Sequence, residues 1–157
     1  MLDWDKIKQK TKEFYDEATK KIKQYTPEAF SKEKKLVNAI VLSMALMTLA
    51  DKKIETDEVT KAIDLIKDIE EIQELNMVQE AIELYEFHLE DLEKVMNNQA
   101  KYLLKVEHKL MDIAKIKEYQ GYPNMIKVLL DYIAEADGHL DPQETEMKNK
   151  ILAVLDK

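Results

Sequence analysis

The run Val37-Asn38-Ala39-Ile40-Val41-Leu42-Ser43-Met44-Ala45-Leu46-Met47-Thr48-Leu49-Ala50 decides the fold. It is apolar on nearly all sides, and at fourteen residues it is too short for the ~20 that a bilayer span needs. A helix that is apolar all round belongs inside a protein, so this one is expected to be the central buried helix. Ser43, set within it, is expected to bond back to a carbonyl one turn earlier.

Working outward, the surrounding sequence keeps a helical period. Trp4, Ile7, Thr11, Phe14, Ala18, Ile22 and Tyr25 recur at three- and four-residue steps and predict an amphipathic helix over Asp3–Gln24. Thr26-Pro27 reads as the start of the helix that holds the central run. Val59, Ile63, Ile66, Ile69 and Ile72 predict a helix from Thr56 to Leu75, and Asn76-x-x-Gln79 has the form of a capping box opening the next. From there to Tyr119 no Gly or Pro intervenes, and one break is expected near His88–Asp91 or at Asn97-Asn98. Gly121-Tyr122-Pro123 stops one helix and restarts another over Pro123–Ala136, and a last helix begins at Pro142.

Composition agrees. Only 2 Gly and 3 Pro punctuate 157 residues, of which 45% are apolar. Sheets need turn residues at fixed places, so this balance predicts an all-α chain of six to seven helices in a single compact domain, residues 1–157. Its size allows roughly 70% of the unfolded surface to be buried. No Cys is present, which removes disulfides, thiolate nucleophiles, iron–sulfur clusters and zinc fingers. All 24 basic residues are Lys against 32 acids, a net charge of −8. Without the Arg fork that grips phosphates and guanine edges, nucleic acid is not an expected partner. Residues 1–35 hold 10 Lys against 7 acids, a relatively basic end that reads first as a solvated helix face. The opening Met1-Leu2-Asp3-Trp4-Asp5 lacks the order of a signal peptide, so a cytoplasmic location is expected.

Two acidic corners lie 86 residues apart: Ala50-Asp51-Lys52-Lys53-Ile54-Glu55-Thr56-Asp57-Glu58 and Ala136-Asp137-Gly138-His139-Leu140-Asp141-Pro142-Gln143-Glu144. Each follows an apolar helix and precedes an amphipathic one, which suggests a pseudo-twofold repeat of units at about 31–75 and 122–157. One reading is structural. Asp141 caps a helix, Pro142 takes its first position, Glu144 completes a capping box, and Ile54 or Leu140 plugs the corner into the core. The other reading is a cation site. Asp51, Glu55 and Glu58, with Asp137, Asp141 and Glu144, offer oxygen ligands suited to a divalent metal ion such as Ca²⁺ or Mg²⁺. Neither corner has the EF-hand spacing.

These corners, the Phe- and Lys-containing amphipathic start and the apolar helix before Asp51 resemble the TerB family of tellurite-resistance proteins over almost the whole chain. The resemblance implies an all-helical fold with an internal repeat and an acidic surface that binds metal ions through those six carboxylates. It further implies a bacterial or phage-encoded tellurite-resistance and stress-response system. There the protein works as a cytoplasmic interaction module with protein partners, a membrane protein among them, at the inner face of the membrane. The first corner departs from the family pattern, with Lys52-Lys53 where a Gly and a small or polar residue are usual, which weakens cation binding there. The alternative is a metal-independent acidic scaffold that docks a basic protein or membrane partner.

An enzyme is not expected. No Glu-x-x-His pair precedes His88, His108 or His139, no Gly-rich phosphate loop exists, and neither Ser31 nor Ser43 sits on a nucleophile elbow. Met44, Met47 and the aromatics Tyr85, Phe87, Tyr102, Tyr119 and Tyr132 read as core first and as the lining of a partner groove second.

Overall fold

The computed structural model of the protein describes residues 30–137 and 141–156. All regular structure there is helical. The order is α1 (Lys32–Thr48), α2 (Thr56–Asp68), α3 (Glu70–Glu74), α4 (Val78–Glu93), α5 (Gln99–Ala114), a 3₁₀ turn (Lys115–Glu118), α6 (Tyr122–Asp137) and α7 (Pro142–Leu155). No described helix is long and apolar enough to cross a membrane. The predicted helix over Asp3–Gln24 lies outside the described residues, as do Thr26 and Pro27; the helix that holds the central run does not start at Thr26-Pro27 but at Lys32, after an extended Ser31.

Helix α1 is the axis of the bundle. All twelve positions from Leu36 to Met47 are buried, Asn38 and Ser43 included. It touches α2, α4, α5, α6, α7 and the 3₁₀ turn. Ser31 opens it by accepting the Lys34 N–H at 3.1 Å. Ser43 returns its hydroxyl to the Ala39 carbonyl at 2.7 Å, as its place in an apolar helix requires. Met44, Met47, Tyr85 and Tyr102 all prove to be core.

Two further local expectations need correction. The helix expected from Thr56 to Leu75 breaks at Ile69, whose ψ of 113° is extended. The stripe Ile63, Ile66, Ile69, Ile72 advances in steps of three, and each such step lags a full turn by about 60°. A straight helix would carry Ile72 away from the core; the break lets Ile66 and Ile72 both be fully buried. Asn76 does not cap α4. It sits at φ 56° just past α3, its N–H donating to Gln73 O at 3.0 Å, while the Met77 N–H donates to Ile72 O at 3.1 Å. That bond pair is a Schellman closure with Asn in the left-handed place usually held by Gly. α4 then starts from Met77 with no side-chain cap.

The remaining boundaries follow the sequence. Of the two weak spots, Asn97-Asn98 is the break: Asn98 caps α5, accepting the Lys101 N–H at 3.1 Å. Gly121, at φ 88°, turns the chain into α6. Asp141 opens α7 with a full capping box and Pro142 at its first turn.

Candidate functional site

Both corners behave locally as helix-joining devices. In the first, Lys52 takes a left-handed φ of 59°, and the Lys53 N–H donates to Asp51 Oδ1 at 2.9 Å. A side chain at such a φ costs on the order of 1 kcal/mol, where Gly would cost little. The Lys52 ammonium lies 5.0 Å over the Tyr102 ring, an attraction of about 0.5–1 kcal/mol that offsets part of this cost. Glu55 precedes α2 with no side-chain cap bond, and Glu58, in its first turn, is exposed. The half-buried Ile54 packs against the core as a plug.

In the second corner Asp141 Oδ1 accepts the Glu144 N–H at 2.8 Å, and Glu144 Oε1 accepts the Asp141 N–H at 3.4 Å. Two of the six expected metal ligands are thereby side by side. Asp137 is the last residue of α6; its side chain, with Gly138, His139 and Leu140, lies outside the described residues. Among the described residues no group of three His, Cys, Asp or Glu comes together as a ligand set.

A polar network that the motifs did not indicate runs through the core. His88, fully buried on α4, sits between Asn38 Oδ1 at 2.8 Å from its Nε2 and the Lys109 ammonium at 2.9 Å from its Nδ1. A lysine ammonium only donates, so Nδ1 is the acceptor and Nε2 carries the proton given to Asn38. Burial, and then the charge of Lys109, hold the His88 pKa well below its ordinary value, and the imidazole is neutral. Lys109 also pairs with Asp91 Oδ2 at 2.9 Å, and Lys105 reaches Asp91 Oδ1 at 3.3 Å. Burial alone would raise the Asp91 pKa, but the bond and charge of Lys109, with the charge of Lys105, outweigh it and lower it. The chain Asn38, His88, Lys109, Asp91, Lys105 thus leads from the central helix to the surface across α1, α4 and α5. One signal for it was present in the sequence: an Asn inside an otherwise apolar helix demands a partner.

A second feature is open to solvent. An apolar groove of about 570 Å³ lies between α2–α3 and α6, with buried Ile40 at its base. Val128 and Tyr132 line it while remaining 67% and 55% exposed. Asp68, Glu70 and Glu71 bring three exposed carboxylates to it, and its described lining contains no Lys. Tyr132 is the one of the five singled-out aromatics that lines this groove; Phe87 and Tyr119 are half-buried elsewhere. On α5, Leu104 and Met111 add a smaller exposed apolar stripe on either side of His108.

No family model, no curated protein and no solved structure matches this chain.

Proposed function

We propose that the protein is an interaction module, not an enzyme, and that the groove between α2–α3 and α6 takes an amphipathic helix of a basic protein partner. One observation carries this reading: Val128 and Tyr132 offer exposed apolar surface beside the carboxylates of Asp68, Glu70 and Glu71. A helix laid in such a groove anchors through apolar residues at i, i+3 or i+4, and i+7. Lys or Arg beside those anchors would meet the acidic rim, which favours encounter and fixes orientation. His88, the fully buried imidazole, faces Asn38 and Lys109 in the core and does not line the groove.

The test is calorimetric titration with a designed amphipathic peptide carrying Leu anchors and flanking Lys, against the same peptide with Glu in place of Lys. Binding of the Lys peptide alone, lost in Val128→Asp and in Tyr132→Ala, is the expected result. Equal binding of both peptides, or binding indifferent to the two groove variants, overturns the reading.

A second reading rests on the juxtaposition of Asp141 and Glu144 at the head of α7. Two carboxylates there suit a hard divalent cation such as Ca²⁺ or Mg²⁺, with Asp137 as the next ligand in sequence. This agrees with the resemblance to the TerB family. Under it the protein is a metal-linked member of a tellurite-resistance or stress-response system, cytoplasmic and working with a membrane partner. Titration of chelator-treated protein with Ca²⁺, Mg²⁺, Mn²⁺ and Zn²⁺, repeated on Asp137→Asn, tests it. Saturable binding that the variant loses supports it; no heat and no change in melting temperature with any of the four removes it.

A further inference from the structure

Helix α5 presents two opposite faces. Tyr102, Val106, Leu110 and Ile113 are buried in the bundle. Two residues along a helix turn it by about 200°, so Leu104 and Met111 stand opposite the buried Val106 and Ile113. They are 62% and 63% exposed, although each is a large apolar side chain. Seven residues separate them, almost two full turns, which puts both on one line along the outer face. The residues flanking that line differ from side to side. Ala100, Glu107 and the half-buried Ala114 follow one edge; the exposed Lys101 and His108 follow the other. One edge is therefore acidic and the other basic, with an apolar seam between them.

A face of this kind fits itself. In a dimer whose twofold axis runs along α5, the two helices are parallel and each seam residue meets its own copy, Leu104 against Leu104 and Met111 against Met111. The same rotation sets the acidic edge of one copy against the basic edge of the other. Glu107 then faces His108 and Lys101 of the second copy, where an imidazole N–H or an ammonium donates to the carboxylate. An antiparallel pair would do the reverse, placing Glu107 against Glu107 and the Lys101–His108 edge against itself. We propose that α5 is the contact between two copies of this chain, arranged as a parallel helix pair about that axis. The seam from Ala100 to Met111 is only about 17 Å long, and one helix pair buries less than the ~1,200 Å² of a standard interface. The dimer is accordingly weak and set by protein concentration. This surface lies on a different helix from the groove at Val128 and Tyr132, so dimerisation and occupation of the groove stand or fall separately.

Sedimentation equilibrium of the full chain, from micromolar to millimolar concentration, is the test. A mass rising from monomer towards dimer is expected, lost in Leu104→Lys and in Met111→Lys and kept in Val128→Asp. Both seam side chains are exposed, so circular dichroism is expected to show the two Lys variants folded. Glu107→Lys is expected to weaken the dimer about tenfold or more by setting like charges together, and Glu107→Lys with His108→Glu to restore it. Monomer at every concentration, a dimer that survives Leu104→Lys but not Val128→Asp, or no recovery in the double variant overturns the proposal. The chain has no Cys, so single introduced cysteines report the arrangement without background. Under mild oxidation Leu104→Cys alone and Met111→Cys alone are each expected to form disulfide-linked dimers; a cross-link that appears only when the two variants are mixed overturns the parallel pairing.

Discussion

Lys109 fixes the tautomer of His88: its ammonium donates to Nδ1 at 2.9 Å, leaving Nε2 as the nitrogen that donates to Asn38. A buried imidazole held neutral in this way refuses a proton that the unfolded chain accepts. The folded pKa lies below the unfolded one, so the contribution is intact above about pH 6.5 and is lost as the pH falls beneath it. The slope is about 1.4 kcal/mol per pH unit until the folded pKa is reached. Urea unfolding between about pH 7 and pH 5 is expected to show this slope, and His88→Gln, although less stable, is expected to lose it. Equal slopes in both proteins would exclude His88 as its origin.

Asp91 holds the other end of that ammonium. Asp91→Asn leaves the nearly buried Lys109 without its counter-charge and is expected to cost roughly 2 kcal/mol. The double variant Asp91→Asn with Lys109→Met should recover part of this loss, since both charges are then gone. A denaturation cycle over the four proteins measures the coupling, and strict additivity would contradict the pairing.

Asn76 closes α3 from the left-handed region. Asn76→Ala is therefore expected to lower stability by about 1 kcal/mol, while Asn76→Gly is neutral or mildly stabilising. If Asn76 were instead the cap of α4, Asn76→Asp would be tolerated as well as Asn76→Gly. Melting temperatures of the three variants separate the two roles.

Asp141 distinguishes capping from cation binding. Asn caps helices as well as Asp does, so Asp141→Asn is expected to keep wild-type stability without added metal, whereas Asp141→Ala loses about 1 kcal/mol. A cation-dependent rise in melting temperature that wild type shows and Asp141→Asn lacks would add a ligand role to the cap.

How much of this was legible in the sequence depends on whether the determinant was local. The buried helix of Leu36–Met47, the back-bonding of Ser43, the start at Asp141-Pro142 and the break at Asn98 all follow from residues within a turn or two of one another. The break at Ile69 was half-visible, because a run of steps of three cannot keep one face of a straight helix. Asn76 misled because the pattern of a capping box says nothing about the helix on the other side, whose end claimed the residue. The network was the least legible part. Asn38, His88 and Lys109 are separated by 50 and 21 positions, and only the packing of α1, α4 and α5 brings them together. The groove was foreshadowed only by Tyr132, since Asp68, Glu70 and Glu71 read along the chain as ordinary solvated charge.

The central position of α1 has a consequence for cooperativity. Because α2, α4, α5, α6, α7 and the 3₁₀ turn all rest on this one helix, withdrawing Leu36–Met47 takes from each of them a shared part of the core. Foldons need an apolar centre of their own, and this bundle supplies one centre for all its parts. The described helices are thus expected to melt together in a single transition, and a cut within α1 is expected to dissolve the bundle instead of releasing a stable half.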